Sequence, residues 1–182
     1  IASALLEAFG NAKTLDNDNS SRFIRHTHLR YSESGQVQTC SVRTYMLERN
    51  RVVAVAPGQR NFHIFYQVLA GASSSALKRN HDFSERHESY KILGGGPHHL
   101  FDDEGRQVDE KIAFKETLHA MMSLGFTDEH FNSMIRTLAG ILHLGNIDFA
   151  KQQGGQDAER PKRPLPCLPS FSPAILPCHS PL

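Results

Sequence analysis

A short polar stretch near the start of the chain has the residue types that bind phosphorylated ligands. Between Asn17 and Arg22 the sequence places amides, two hydroxyls and a guanidinium just before a predicted strand. Hydroxyls ligate Mg²⁺ or donate to phosphate oxygens, amides donate to bridging oxygens, and a guanidinium pairs with carboxylate or phosphate. Loops at strand ends are also where α/β folds bind ligands. Composition alone still favours a plainer interpretation, a solvated loop with helix-capping Ser and Asn.

Two other groups of residues suggest binding chemistry less strongly. Eleven histidines include the close pairs His26/His28, His81/His87 and His98/His99. No pair has a second ligand group at a recognised zinc spacing, so surface or packing roles are favoured over a metal site. A glycine run at residues 94–96 has the composition of a phosphate-binding loop. It follows no clear strand, and a flexible loop is the favoured interpretation.

Bulk composition argues against several classes of protein. The 182 residues are 39% hydrophobic and 21% charged with a net charge of +1, which suits one globular domain. This charge gives no field that would attract nucleic acid, and no apolar run is long enough to predict a transmembrane segment. Cys40, Cys167 and Cys178 are too far apart to indicate a disulfide framework or a zinc site. A reducing cytoplasmic setting is therefore expected. The absence of an initiator Met and the start within a helical pattern predict a fragment.

Composition changes near Ala150. Seven of the nine prolines lie between Pro161 and Pro181, and frequent prolines block both helix and sheet hydrogen bonds. The predicted organisation is a folded domain over residues 1–150 and a Pro-rich, disordered tail over residues 151–182. A proline-rich SH3 ligand is the functional alternative for the tail, although an unstructured or artefactual terminus is favoured.

Hydrophobic periodicity predicts a mixed α/β fold that is rich in helices and has a partial sheet. Helices are predicted over residues 1–9, 61–69, 109–124 and 128–145, the last with Thr127 as its N-cap. Strands are predicted over residues 23–31 and 37–45, joined by a hairpin connection, and over residues 52–55. Residues 71–107 are predicted to be mainly loop. The expected core side chains are Phe62, Phe65, Tyr66, Leu69, Phe114, Leu118, Met121, Met122, Phe131, Met134, Ile135, Leu138, Ile141 and Leu142.

Four blocks of sequence resemble the motor domain of myosins in the right order. Residues 5–14 (LLEAFGNAKT) and 17–23 (NDNSSRF) resemble the helix and switch I segment of that family. The blocks at residues 45–52, 60–67 and 138–147 resemble Y-L-L-E-K-S-R-V, R-N-F-H-I-F-Y and L-A-x-I-L-H-L-G-N-I. Kinesins share a similar N-x-x-S-S-R, but these flanking blocks favour a myosin. The resemblance covers residues 1–150 and implies part of a P-loop NTPase-type fold.

The same resemblance implies a role for four residues of the polar stretch. Asn17 is expected to contact the triphosphate of ATP, and Ser20 to lie near the γ-phosphate and the attacking water. Ser21 is expected to ligate Mg²⁺. Arg22 is expected to pair with a glutamate on switch II and close the site for hydrolysis. Ser20 and Arg22 are thus the implied catalytic residues, and they would act by positioning groups and stabilising charge.

Three departures from the family pattern bear on these expectations. The sequence contains no G-x-x-x-x-G-K-[ST] loop, and Lys13 is not directly preceded by Gly. In the family, the P-loop lies upstream of these residues and switch II lies downstream. Residues 24–27 replace the family's G-K-F-I, so Ile24 is expected to crowd the backbone, and a gene-model error, a splice difference or a decayed copy would explain it. Gln59 stands where most members have Glu.

The resemblance implies part of an actin-based motor that couples Mg·ATP hydrolysis to movement. ATP and Mg²⁺ are the implied cofactors of the complete motor, actin filaments the implied partner, and the cytoplasmic cytoskeleton the implied location. The actin-contacting loops lie mostly outside these residues, and without a P-loop the chain alone is not expected to be catalytic. The alternative is a non-catalytic, truncated or pseudogene-like product with at most a partner-binding role. Myosin class, cargo, light chains and oligomeric state do not follow from the sequence.

Overall fold

The structure, a computed structural model, describes residues 2–71, 75–84, 86–94, 96–97, 99–150 and 160–161. The described residues form five α-helices: α1 (Ala2–Gly10), α2 (His63–Gly71), α3 (Ser75–His81), α4 (Glu110–Ser123) and α5 (Asp128–Gly145). The same residues include six strands: β1 (Asn11–Ala12), β2 (Ser20–Ser21), β3 (Ile24–Tyr31), β4 (Val37–Tyr45), β5 (Phe149–Ala150) and β6 (Arg160–Pro161). They form three separate two-stranded antiparallel sheets, β1–β2, β3–β4 and β5–β6. This is the mixed, helix-rich fold with a partial sheet that the sequence predicts.

Helix α2 lies at the centre of the hydrophobic core. Every residue from His63 to Leu69 is buried, including the polar His63 and Gln67. The four apolar residues predicted for this helical segment, Phe62, Phe65, Tyr66 and Leu69, are all in the core. Gln67 accepts a hydrogen bond from Thr117 of α4 at 2.8 Å, which links the two helices in the interior. Burial of apolar surface and this one satisfied polar pair together fix α2 against α4.

The residues before α2 hold a buried charge. Arg60 is 1% exposed, its Nη2 donates to Oε1 of Glu110 at 2.5 Å, and its guanidinium lies 3.7 Å from the centre of the Tyr66 ring. A buried cation requires this kind of carboxylate partner, since desolvation without one is very unfavourable. The ion pair therefore joins the segment before α2 to the first turn of α4.

Helices α4 and α5 each begin after a capping residue, and for α5 this is the Thr127 that the sequence predicts. Asp109 accepts from the backbone N–H groups of Lys111 and Ile112, and Thr127 accepts from that of His130. Ile135, Leu138 and Leu142 of α5 are buried, and the rest of its predicted stripe packs partly against the core. The prediction for Met122 of α4 is wrong, because this side chain is 74% exposed. Met121, also predicted for the core, is buried, and adjacent residues on a helix point about 100° apart, so the two do not both face the core.

The hairpin of β3 and β4 confirms the two predicted strands but has no buried face. Cross-strand pairs run from Ile24↔Tyr45 to Tyr31↔Val37, with an irregularity after Arg30. Every residue of both strands is exposed. Ile24 is 53% exposed, so the crowding expected of this residue is not found within the described residues. The strand forms even though His26 and Thr27 replace apolar residues of the family pattern.

Two predictions about secondary structure are wrong in part. Residues 52–55 do not form a strand. Arg49–Val52 is a 3₁₀ helix, and the side chain of Arg51 turns inward to bind Gln59 and the Arg60 carbonyl. Residues 71–107 contain α3 and a 3₁₀ turn, His87–Ser89, besides loop.

The chain divides into two compact units at residues 146–147. In the second unit the short strands β5 and β6 pair antiparallel. Apart from Arg160–Pro161, the predicted disorder of residues 151–182 lies outside the described residues, as do Cys167 and Cys178. Within the described part of the chain, no helix has the length and apolar character needed to cross a membrane.

Candidate functional site

Three of the four residues singled out in the polar stretch line one open cavity of about 560 Å³. Asn17, Ser20 and Arg22 contribute to its wall from one side. The segment after β4 contributes Glu48 and Arg51 from the other side. The remaining lining residues are Thr14, Asp16, Ala54, Val55, Ala56 and Gln59. Amide, hydroxyl and guanidinium groups therefore meet in a single space that is open to solvent.

The end of α1 and the short strands β1 and β2 hold the polar stretch in place. Ala12 pairs with Ser20 and Asn11 with Ser21, and the backbone N–H of Arg22 donates to the Gly10 carbonyl at 2.8 Å. Gly10 allows this close approach, because a Cβ atom at this position would lie only 2.3 Å from the ring of Phe23. The glycine at the end of α1 thus lets the chain fold back directly beside the helix.

Hydrogen bonds within the loop fix the backbone around Asn17. The Thr14 backbone N–H donates to the Asn17 carbonyl at 2.8 Å, and the Asn17 N–H donates to Oγ1 of Thr14 at 3.2 Å. Oδ1 of Asn17 accepts from the backbone N–H of Asn19 at 2.6 Å, as in an Asx turn. With its oxygen engaged in the loop, the Asn17 side chain retains its NH₂ group as a donor for a ligand.

A second set of contacts ties the loop to distant parts of the chain. Lys13 forms an ion pair with Asp18. The other carboxylate oxygen of Asp18 accepts from the backbone N–H of Phe101 at 2.9 Å. Burial lowers the pKa of Lys13, and the positive charge of Arg60 lowers it further. Lys13 is thereby occupied in positioning the loop, in agreement with the sequence argument that it is not a P-loop lysine.

Arg22 is held by a carboxylate of the same chain. Its Nε donates to Oε2 of Glu48 at 2.6 Å, and its Nη1 donates to the Ser20 hydroxyl at 3.3 Å. The same Glu48 oxygen accepts from Nε of Arg51 at 2.8 Å. Partial burial acts to raise the pKa of Glu48, but the hydrogen bonds and charges of the two arginines outweigh it and lower the pKa overall. Glu48 is therefore ionised at neutral pH.

Gln59 affects the charge balance of the cavity. Its Oε1 accepts from Nη2 of Arg51 at 3.0 Å, so the amide replaces a carboxylate without losing the hydrogen bond. The lining then has two carboxylates, Asp16 and Glu48, and two guanidinium groups, Arg22 and Arg51. A Glu at this position would add a third negative charge. The departure from the family pattern therefore makes the cavity more favourable for an anion.

Ser20 and Ser21 face different directions, as neighbouring residues of a strand do. Ser20 lines the cavity and accepts from Arg22, whereas Ser21 is exposed and does not line it. The Ser21 hydroxyl donates to the Phe23 carbonyl at 3.1 Å. Among the described residues, no group of three or more His, Cys, Asp or Glu side chains is placed to hold a metal ion. A metal at this site would depend on oxygen donors such as serine hydroxyls.

Three residues of the site were missed by sequence reasoning. Glu48 and Arg51 lie within a block used only to recognise the family, and Gln59 was considered only as a lost charge. The antiparallel register could have located Glu48, since pairing Ile24 with Tyr45 brings the residues just before β3 beside those just after β4. Indeed, the Glu48 backbone N–H donates to the Arg22 carbonyl at 2.9 Å.

Known proteins include relatives of this chain. The family model of the myosin head (motor domain) matches residues 2–166. Protein OPAQUE1 of Zea mays is 41% identical over 158 residues, which are 87% of this chain and 10% of that protein. The chain thus spans about a tenth of the length of this curated relative. Because the family model covers most of the sequence, the chain belongs to the myosin head (motor domain) family.

Proposed function

We propose that this chain provides the switch I nucleotide-sensing loop of an actin-based motor that couples Mg·ATP hydrolysis to movement. The observation that supports this most directly is the convergence of Asn17, Ser20 and Arg22 on one cavity. Their amide, hydroxyl and guanidinium groups are the donors that a triphosphate requires. Arg51, from the opposite wall, adds a second guanidinium.

Each of these side chains would act by positioning and by stabilising charge. The NH₂ group of Asn17 is free to donate to a phosphate oxygen, since Oδ1 is already bonded within the loop. The Ser20 hydroxyl accepts from Arg22 and so has its own proton to donate to the γ-phosphate or to orient a water molecule. Phosphoryl transfer needs these roles more than it needs a covalent nucleophile.

Ser21 is proposed as a Mg²⁺ ligand, with Mg²⁺ neutralising charge on the phosphates. Its hydroxyl is exposed and donates to a backbone carbonyl of the same turn, which leaves the oxygen lone pairs available. Because Ser21 does not line the cavity, the loop would have to rearrange on nucleotide binding to bring this oxygen to the ion. One hydroxyl cannot satisfy the octahedral geometry that Mg²⁺ prefers, and water and phosphate oxygens normally supply the other ligands.

Arg22 is proposed to change partners during closure of the site. In the structure it shares Glu48 with Arg51. A glutamate on switch II that approached the guanidinium would compete with Glu48, and Arg51 would retain Glu48 as its partner. This exchange would let the loop report on the nucleotide without leaving a buried charge unpaired.

Actin filaments as the partner, ATP as the ligand and an association with the cytoskeleton follow from family membership and are proposals for this chain. Membership of the family indicates a part of a myosin-type motor. The chain matches about a tenth of the length of Protein OPAQUE1. These properties belong to a complete motor, which also needs a phosphate-binding loop that this sequence does not contain.

The test is Arg22→Ala in a complete motor that contains these residues. Loss of a group that stabilises charge at the reacting centre should lower the actin-activated Mg·ATPase rate by about 100-fold or more. The matched control is Arg43→Ala, which removes an exposed arginine of β4 outside the cavity and should change the rate by less than about twofold. Equal effects of the two substitutions would contradict the proposed role of Arg22.

A further inference from the structure

The side chain of Asn19 joins the polar stretch to three other elements. Its Oδ1 accepts from Nδ2 of Asn11 in β1 at 3.0 Å, and it lies 3.1 Å from Nε2 of His63, the first residue of α2. Its Nδ2 donates to Oε2 of Glu7 in α1 at 3.4 Å. One amide of the loop is therefore bound by α1, β1 and α2 at the same time.

These partners fix the orientation of the Asn19 amide and the tautomer of His63. Oδ1 faces two nitrogen atoms and Nδ2 faces a carboxylate, so the amide cannot be turned over without losing these bonds. Nε2 of His63 must then carry the proton and donate it to Oδ1. Burial, together with the charge of Arg60, lowers the pKa of His63 to about 4, so the ring is neutral at pH 7.

His63 binds the loop from a fixed position in the interior. Its side chain is only 5% exposed, and every residue from 63 to 69 is buried. Asn19 is exposed, so this hydrogen bond connects a loop residue at the surface to the hydrophobic core. A packed side chain loses little further freedom when it makes such a bond, which favours one defined geometry of the loop.

The backbone of Asn19 passes this constraint to residues that line the cavity of the polar stretch. Its N–H donates to Oδ1 of Asn17 at 2.6 Å, the contact that leaves the Asn17 NH₂ group available to a ligand. Its carbonyl accepts from Nδ2 of Asn11 at 3.3 Å. Ser20, the next residue, pairs with Ala12 and lines the cavity. The position of Asn19 therefore affects both the Asn17 amide and the Ser20 hydroxyl.

We propose that His63 is a positioning residue for nucleotide binding at the polar stretch, and that it acts through Asn19. His63 does not line the cavity to which Asn17 and Ser20 contribute. Its hydrogen bond keeps these two residues in one arrangement, so the nucleotide has less ordering of their side chains to impose when it binds. This inference rests on the proposed function, because it assigns His63 to the site that would bind Mg·ATP.

Loss of the hydrogen bond should weaken nucleotide binding more than it slows the chemical step. Without the donor of His63 the loop samples other arrangements, and only the competent fraction binds, which raises the apparent dissociation constant. Once the nucleotide is bound, its phosphates hold the donors of the loop in place. A merely structural role for His63 would instead reduce the amount of folded motor and leave the Mg·ATP concentration at half-maximal rate unchanged.

The first experiment measures the Mg·ATPase rate of a complete motor that contains these residues. His63→Leu keeps an apolar side chain in the core but has no donor. It should raise the Mg·ATP concentration at half-maximal rate by about fivefold to tenfold and change the maximal rate by less than about twofold. His63→Gln, whose amide nitrogen can donate in place of Nε2, should restore the natural concentration to within about twofold.

His143→Leu is the matched control. It removes a hydrogen bond of similar length, from Nε2 of His143 in α5 to the His81 carbonyl at 2.9 Å, and this bond has no contact with the polar stretch. The control should leave the Mg·ATP concentration at half-maximal rate within about twofold of the natural value. An equal increase for His143→Leu and His63→Leu would overturn the proposal, because loss of a histidine hydrogen bond at either place would then have the same effect.

Asn19→Ala tests the route from His63 to the cavity. Asn19 is exposed, so the substitution should leave the fold intact. It should raise the Mg·ATP concentration at half-maximal rate at least as much as His63→Leu does. Adding His63→Leu to Asn19→Ala should change that concentration by less than about twofold, since the second substitution removes a bond already lost. Independent, multiplying effects would overturn the proposal.

A measurement without nucleotide separates this proposal from the proposed function. In the 182-residue chain with ¹⁵N-labelled Asn side chains, His63→Leu should shift the side-chain amide resonance of Asn17, and His143→Leu should not. An unchanged Asn17 resonance in the His63→Leu chain would overturn the positioning role. Failure of the proposed function is measured with Arg22→Ala instead, since an unchanged ATPase rate there contradicts the ATP site whether or not His63 positions the loop.

Discussion

At the scale of single residues, the burial of His63 makes the stability of the folded chain depend on pH. Burial, together with the nearby charge of Arg60, lowers the pKa of His63 from 6.5 to about 4. The folded state then binds fewer protons than the unfolded state between these two values. The contribution of neutral His63 to the stability of the folded chain is therefore fully present above pH 6.5, and it is lost as the pH falls toward the pKa of the folded state.

His63→Gln tests this dependence. Between pH 7 and pH 4 the natural chain should lose about 3 kcal/mol more stability than the variant, because a shift of this size corresponds to that free energy. The measurement is urea unfolding at both pH values and constant ionic strength. All other titrating groups are common to the two proteins, so the difference isolates His63. The same loss of stability in both proteins would show that His63 does not titrate in this way.

The resemblance to a family pointed to the residues of the candidate site but not to their partners. Composition alone favoured a solvated loop at residues 17–22, and Asn17, Ser20 and Arg22 were selected because this stretch resembles switch I. The partners Glu48 and Arg51 could not be selected in this way, since their contact with Arg22 depends on the register of a hairpin. His63 was noted only as part of the block at residues 60–67, and its bond to Asn19 shows that it supports the loop.

At the scale of elements, two glycines in helices should respond to the same substitution in opposite directions. A Cβ atom at Gly71 of α2 would lie 2.1 Å from the ring of Phe114, a buried residue of α4. Gly71→Ala should therefore destabilise the chain by about 1–3 kcal/mol through overpacking. Gly140 of α5 has no atom within 4 Å of such a Cβ.

Gly140→Ala is the matched control and should stabilise the chain by about 0.5–1 kcal/mol, because alanine loses less backbone entropy in a helix. Urea unfolding of the two variants beside the natural chain measures both effects. A Gly71→Ala variant as stable as the natural chain would mean that α2 and α4 can move apart without loss of packing.

Long elements were predictable because each has its own periodic pattern and end signals. Thr127 marked the start of α5 correctly, periodicity placed α4 within a residue of its observed bounds, and residue types suited to strands marked the two strands of the hairpin. The segment at residues 52–55 has the composition of a strand, but the buried side chain of Arg51 and its bond to the Arg60 carbonyl require a turn there. Helix α3 has few apolar residues, so its pattern was too weak to recognise.

At the scale of the whole molecule, the 182-residue chain should not hydrolyse Mg·ATP above the rate of a buffer blank. It has the cavity of the polar stretch but no G-x-x-x-x-G-K-[ST] loop, whose backbone N–H groups and Lys normally bind most of the triphosphate. A phosphate-release assay at high protein concentration measures this rate. Arg22→Ala in the same chain should give an identical result, and turnover that depends on Arg22 would contradict the prediction.

The ion pair between Arg60 and Glu110 has a consequence for how the fold responds to heat. The hydration of charged groups becomes less favourable as temperature rises, so the penalty for keeping this pair away from water falls. Hydrophobic contacts around it do not gain in the same way at high temperature. The contribution of this ion pair to the junction between the start of α2 and the first turn of α4 should therefore be relatively larger in warm than in cool solution.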